Sequence, residues 1–385
     1  IWKTTNALAN LPTWAPLTDT QQSLSHGGLA FDPLDATSNT LIAGVGRFSS
    51  FGSTGGPRTG ILKCTDGGAT WTTLGFTELQ DRNIASVAAR GAILMASVSG
   101  GVGTPGLYRS TNTGGTFTLV SGAGGTGLPS GATFDLVGDP GTLTRFYLAV
   151  GGTTPGVYRS DNSGATWTNV TNNITRLSAS PTNIKLSVHN SVAGNAVWCT
   201  FAISGRCAGV WRSTNQGGAW TSMSLPGTTE GASFQGIHPG GQASIHYSIL
   251  ADRMSPNIVF IGGDRQPTGG SGGFPNSIGA QNYSGRLFRG DITQPSATQW
   301  RTLTNNGTAS NSSPHADSRS MAFDAQGNIV QGDDGGIYKR VSPDSTAGDW
   351  VSLNSNASMT EFHAIAWDRN AQVVLGGTQD TGTTE

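Results

Sequence analysis

Apolar residues in this chain fall into short alternating runs, not into the three-and-four spacing of an amphipathic helix. HGGLAFDP at 26–33 is followed by NTLIAGVG at 39–46, ATFDLVGDP at 132–140 by RFYLAVGG at 145–152, and SIHYSILADR at 244–253 by NIVFIGGD at 257–264. The first run of each pair alternates, and the second is apolar almost throughout, which predicts a strand buried on both faces. A third and a fourth run follow around a recurring turn: CTDGGATW at 64–71, STNTGGTF at 110–117, SDNSGATW at 160–167 and STNQGGAW at 213–220. The unit is four strands in about fifty residues, with Gly and Asn at the corners.

Each position of the turn frame has a physical task. Asp66, Asn112, Asn162 and Asn215 are placed to accept hydrogen bonds from their own backbone downstream. Gly68, Gly114, Gly164 and Gly217 supply a positive φ at the corner. Trp71, Phe117, Trp167 and Trp220 then bury a ring beneath the turn. These Asp and Asn residues therefore read as turn-formers, not catalysts.

A four-stranded unit of that length is the period of a propeller blade. Full blades are expected at 26–75, 83–121, 132–171, 183–224, 244–304 and 318–354, the last two keeping only Trp300 and Trp350 of the turn frame. The ends suggest two complementary halves, 361–385 and 1–19. The expectation is an all-β, seven-bladed propeller forming a single domain, its ring closed where N-terminal strands complete the C-terminal blade and leave no free sheet edge.

Composition narrows the function. Of 385 residues 57 are Gly, 12% are charged and the formal net charge is −1. That balance excludes a binder that works by neutralising nucleic-acid phosphates, and no apolar run approaches the ~20 residues of a membrane span. Abundant Gly, Ser, Thr and Asn with few Lys suits an extracellular or cell-surface protein. Cys199 and Cys207 stand eight apart; a disulfide and three reduced thiols both remain open for this chain.

The turn frames resemble Asp-box, or bacterial neuraminidase (BNR), repeats, which recur in sialidases, xyloglucanases and sortilin-type propellers. SPHADSRSMAFDAQGNIVQGDDGGIYK at 313–339 and EFHAIAWDRNAQVVLGGTQDTGT at 361–383 look similar to bacterial secreted proteins described as glycosyl hydrolases with BNR repeats, or as sortilin-like. The resemblance implies a propeller directed at an extracellular glycan. The chain departs from the family at Arg319, where a second His is usual, and at Thr381, where Asn is usual. No Arg-Ile-Pro segment of the sialidase kind is present, and the loop GRFSSFGSTGGPRTG at 46–60 lacks the carboxylate that xyloglucanases place there.

In a blade, the lead-in to the innermost strand and the turn between strands two and three share one face, opposite the recurring turns. Long or chemically unusual loops of that face are the site candidates: 46–60, 203–208, 264–285, 311–319, 332–336 and 378–385. They carry Asp264, His315, Asp317, Arg319 and Asp333 as candidate catalytic residues, with Arg265, Tyr283, Asp334, Glu361 and Asp380 as candidate substrate contacts. Paired carboxylates suit glycoside hydrolysis, one protonating the leaving oxygen and one activating water. A His with an Arg suits proton abstraction beside a uronate carboxylate, which is lyase chemistry. Loop aromatics Phe48, Phe51, Phe274 and Tyr283 are placed to stack on sugar rings or to pin the loops.

Bland readings stand beside these. Asp333-Asp334-Gly335-Gly336 also reads as a turn, and His26, His189 and His246 as satisfied, half-buried residues. No cofactor is called for; a structural Ca2+ or another metal on His315, Asp317 and Asp333 stays open, without specific ligand spacing. Three functions follow: a glycan-directed enzyme, a carbohydrate- or protein-binding module of a larger extracellular protein, and a structural module of an extracellular assembly.

Overall fold

The computed structural model describes residues 1–49, 55–177, 180–358, 362–378 and 382–384. Six four-stranded antiparallel sheets follow one another along the chain, each with its strands in sequence order. The architecture is an all-β propeller of four-stranded blades. Blade I comprises His26–Phe31, Leu41–Val45, Ile61–Cys64 and Thr72–Leu74. Blade II begins with Arg82–Arg90, blade III with Thr133–Gly138 and blade IV with Asn183–Ser191. Blade V comprises Ser248–Ala251, Ile258–Arg265, Gly285–Asp291 and Trp300–Thr302, and blade VI Ser320–Phe323, Ile329–Asp333, Gly336–Arg340 and Trp350–Ser352.

The second strands carry the core. Leu41–Val45 and Phe146–Val150 are buried at every position, because each is covered by a neighbouring blade on both faces. Apolar clusters accordingly lie between consecutive blades: Ile42, Ile84 and Leu94 join blades I and II, and Tyr147, Leu186 and Phe201 join blades III and IV. First strands are the most crowded. A Cβ on Gly28 would come 2.9 Å from Ser86 Cα in the next blade, so that position accepts no side chain. The fourth strands are short and face solvent, as in Thr168–Asn169 and Thr221–Ser222.

The recurring turn is a hydrogen-bonded clasp. Ser110 Oγ donates to Asn112 Oδ1 at 2.8 Å and accepts from Gly114 N at 3.0 Å, and Asn112 Oδ1 accepts from Thr116 N at 3.0 Å. The pattern repeats around Asn162 and Asn215, and around Asp66 with Cys64 in place of the serine. Gly114 takes φ +92°, the conformation for which the glycine is needed. Phe117, Trp167 and Trp220 are buried, and Trp71 is half-buried.

The blade count differs from the expectation of seven. The N-terminal strands Trp2–Thr4 and Trp14–Pro16 pair only with each other among the described residues. The C-terminal hairpin Phe362–Asp368 and Val373–Thr378 takes Gly382–Thr384 as its third strand. That strand occupies the edge to which the N-terminal pair was expected to bond. Among the described residues the count is therefore six four-stranded blades, a three-stranded sheet and two two-stranded sheets, of which the N-terminal pair is one. The N-terminal pair is tied to blade VI, where Trp14 N donates to Asn356 Oδ1 at 2.8 Å, and to blade I, where Lys3 Nζ donates to Gly67 O at 2.8 Å.

A hairpin of Gly227–Glu230 and Ser233–Gly236 stands between blades IV and V. Cys199 and Cys207 are free thiols; on neighbouring strands they oppose Trp211 and Ala202, not one another.

Candidate functional site

Blades V and VI bring the chemistry together on the face of the innermost-strand lead-ins. His246 and Tyr247 lead into the first strand of blade V, and Asp317, Ser318 and Arg319 into that of blade VI. The lead-in of blade VI is laced to neighbouring strands: Asp317 N donates to Asp264 O at 3.3 Å, Ser318 N to Gly263 O at 2.9 Å and Arg319 N to Gly332 O at 2.9 Å. Asp317 takes φ +73°, a conformation that costs a non-glycine residue about 1 kcal/mol or more.

His246 lies at the centre. It is fully buried, with Nδ1 2.8 Å from Asp317 Oδ1 and Nε2 3.4 Å from Asp334 Oδ2. Burial opposes charge on the ring, but the two facing carboxylates overcome it and raise its pKa. Arg319 Nε donates to Asp334 Oδ1 at 2.6 Å, and its Nη1 reaches across to Phe48 O of the blade I loop. Burial pushes Asp334 upward, yet His246 and Arg319 hold its carboxyl down to about 2. Asp333, next in the chain, is driven the other way to about 8, chiefly by burial and further by Asp334 and Asp317. Its oxygens accept from Gln331 Nε2 at 2.9 Å and Gly335 N at 3.0 Å. Beneath them Ser248, Ser318 and Gln331 form a buried hydrogen-bonded chain.

The remaining candidates spread outward. Asp264 is buried, and its Oδ1 and Oδ2 accept from the backbone N–H of Arg265 at 2.8 Å and of Gln242 at 3.1 Å. Burial raises its pKa, with a further push from Asp317. Arg265 lies over the Tyr283 ring, 4.4 Å from its centroid, and Phe274 meets that ring edge-on at 5.1 Å. Tyr283 is 52% exposed, and the stack joins the carboxyl cluster through the chain, since Arg265 follows Asp264, whose carbonyl accepts from Asp317 N. His315 Nδ1 lies 3.2 Å from Ala316 O, and its ring covers Gly335, where a Cβ would come 2.4 Å from His315 Cγ. The set left open from the sequence, His315, Asp317 and Asp333, is not the one that converges: His246, Asp317 and Asp334 bring donor atoms within 4.8 Å of one another. Glu361 and Asp380, and Phe51 of the blade I loop, lie outside the described residues.

The loop from Gln266 to Ser284 is held from beneath. Fully buried Arg286 donates to Gln266 Oε1 at 2.9 Å and to Gly236 O and Gln235 O of the hairpin, each at 2.8 Å. Ser277 N donates to Glu230 Oε2 at 2.9 Å.

His246 is the residue that the sequence reading passed over. Its alternation with apolar neighbours in SIHYSIL reads as a satisfied, half-buried histidine, whereas it is fully buried against Asp317 and Asp334. The signal that could have found it is position: it stands two residues before an innermost strand, as Ser318 does in the next blade. His189 does match a satisfied buried residue, with Nδ1 on Asp252 O and Nε2 on Ser191 Oγ.

No family model and no curated protein sequence matches the chain. Among solved structures it is similar to the GH74 xyloglucanase from Xanthomonas campestris, with TM-score 0.61 and 16% identity over 98% of this chain and 55% of that one. The GH74 enzyme of Niastella koreensis gives TM-score 0.62 and 18% identity over 98% and 54%. YCF48 from Cyanidioschyzon merolae gives 0.52 and 13% over 96% and 97%. The chain spans about half the length of the two GH74 enzymes. At these identities the likeness is one of fold, and it agrees with the propeller described above.

Proposed function

We propose that this chain is a glycan-directed propeller that hydrolyses a glycosidic bond of an extracellular polysaccharide on the face of blades V and VI. One observation carries the reading. Asp333 feels the charges of Asp334 and of Asp317, which comes from a different loop, and Asp317 N donates to the carbonyl of Asp264, whose chain neighbour Arg265 lies over the exposed Tyr283 ring with Phe274 edge-on. Two carboxyl groups from separate segments suit the acid and base of glycoside hydrolysis, and an exposed aromatic ring suits the apolar face of a sugar ring. In this reading Asp333 gives its proton to the leaving oxygen as the glycosidic C–O bond breaks. Asp317 orients the attacking water and takes its proton. Arg319 holds Asp334 in place, and Arg265 and Tyr283 hold the sugar. The recurring clasps are Asp-box turns with a structural role.

The low charge and low Lys content, with GH74 enzymes among the similar folds, support an extracellular, glycan-facing protein. Among the described residues no helix is long and apolar enough to cross a membrane. A non-catalytic glycan-binding face is the second reading, favoured by His246, Asp317 and Asp334 facing one another within the cluster.

The test is reducing-sugar release from a panel of plant, bacterial and algal polysaccharides by wild type, Asp333→Asn and Asp317→Asn. The hydrolase reading expects cleavage of at least one polymer, and a loss of about a hundredfold or more in each variant. Affinity-gel retardation without cleavage would establish the binding reading instead. Variants that cleave as well as wild type would remove these two residues from the chemistry.

A further inference from the structure

We propose that His246, Asp317 and Asp334 bind one divalent first-row transition cation, of the Zn2+ or Mn2+ kind. The inference goes beyond the hydrolase reading and does not depend on it, since ion binding is measured with no glycan present. Three observations point to it.

The donor atoms of the three residues lie within 4.8 Å of one another. Ligand atoms on a tetrahedral ion with bonds of about 2.1 Å stand about 3.4 Å apart, so the group must draw together to close on an ion at one ring nitrogen. Next, His246 is fully buried, yet neither ring nitrogen has an aligned hydrogen-bond partner, and Asp317 Oδ1 has none either. The nearest carboxylate oxygens, of Asp317 and Asp334, stand 2.8 and 3.4 Å from the two ring nitrogens. A buried imidazole in this state needs a partner, and a cation shared with the carboxylates supplies one through a single ring nitrogen. Finally, Asp334 is oriented for the task, because Arg319 holds it through Oδ1 while Oδ2 faces the ring.

The donor set chooses the ion. One neutral imidazole and two carboxylates match a divalent charge. The mixture of nitrogen and oxygen suits Zn2+ or Mn2+ better than Ca2+, which takes oxygen ligands. The side chain of Asp317 is 14% exposed and that of Arg319 28%, so the solvent side is open to a water or an incoming anionic group.

The experiment uses the full chain, stripped with a chelator, dialysed, and titrated separately with ZnCl2 and MnCl2 by calorimetry. The expected result is one equivalent bound at micromolar Kd or tighter, weakened at least tenfold in Asp317→Asn and unchanged in a control variant, Asp344→Asn. The Mn2+ form is then read by pulsed electron paramagnetic resonance, which is expected to show modulation from an imidazole nitrogen. The nitrogen signal tests His246 directly, without a variant that removes a buried ring. Absence of saturable binding by both ions at millimolar concentration would overturn the proposal. So would a bound Mn2+ without nitrogen coupling, or an Asp317→Asn protein that binds like wild type.

Discussion

Trp14 Nε1 donates to Leu353 O at 2.7 Å, and the same bond recurs through the later blades. Trp220 donates to Val170 O at 2.7 Å, Trp300 to Ser224 O at 2.7 Å and Trp350 to Leu303 O at 2.8 Å. In each case the indole meets a carbonyl just beyond the outer strand of the preceding blade. The N-terminal pair thus docks on blade VI by the contact with which blades IV to VI dock on their predecessors, although the two strands do not build a blade of four. Trp14→Phe keeps the ring and removes the donor. The expected cost is about 1 kcal/mol, the net worth of one hydrogen bond, seen as a lower midpoint in urea unfolding. A midpoint equal to wild type would show that this indole hydrogen bond adds nothing to the stability of the fold.

Those four tryptophans also show how much of the architecture the sequence carries. Continuous apolar runs such as Leu41–Val45 announce strands covered on both faces, and the clasp frames mark the hairpins around Asp66, Asn112, Asn162 and Asn215. Where the frame is lost, Trp300 and Trp350 still mark the outer strand. The sequence was silent where partners are distant. The Gly227–Gly236 hairpin has no apolar face of its own and depends on Arg286, about fifty positions onward, for its bonds. His246 looks like any core histidine until Asp317 and Asp334, from the next blade, are seen against its ring. Polar Gly382–Thr384 carries no strand signal, yet it takes the sheet edge expected for the N-terminus.

Asp264 separates a positioning role from chemistry. Both of its oxygens accept backbone N–H groups, from Arg265 and Gln242, and so fix the end of the strand that presents Arg265. In Asp264→Asn one of these donors meets an amide N–H in place of an oxygen, at a cost of about 1–3 kcal/mol. The expected outcome is a lower urea midpoint, with loss of glycan cleavage or retention in proportion. Asp317→Asn and Asp333→Asn should instead lose cleavage at near wild-type stability. An Asp264→Asn protein of unchanged stability but no cleavage would place this carboxyl in the reaction.

Glu230 makes the loop platform sensitive to acid. Burial pushes its pKa up, but Thr228 Oγ1 at 2.6 Å, Ser277 Oγ at 2.7 Å and Ser277 N at 2.9 Å all donate to it, and the net effect is a lowered pKa. A folded value below the unfolded one of about 4.3 means that its contribution is fully present above that pH. The contribution is lost as pH falls through the folded value. Wild type should therefore exceed Glu230→Gln in Tm at pH 7, and the gap should narrow progressively as pH falls below about 4. A gap that is constant across that range would assign the effect to packing and not to charge.

Cys64 occupies the clasp position that Ser110, Ser160 and Ser213 hold elsewhere. Its Sγ accepts from Gly68 N at 2.8 Å and donates to Asp66 Oδ1 at 3.0 Å, whereas the serine hydroxyls accept the matching N–H at 2.9–3.0 Å. Thiols are weak hydrogen-bonding groups, so the first clasp is held less firmly than the other three. Cys64→Ser restores the repeat's own solution at a site whose backbone already fits it, and the expected gain is about 0.5–1 kcal/mol. The smaller oxygen also gives up some packing at a buried position, which sets the opposing term. A higher midpoint in urea would show that the hydrogen bonds decide the balance. A loss of more than about 1 kcal/mol would show that sulfur is retained there for its volume.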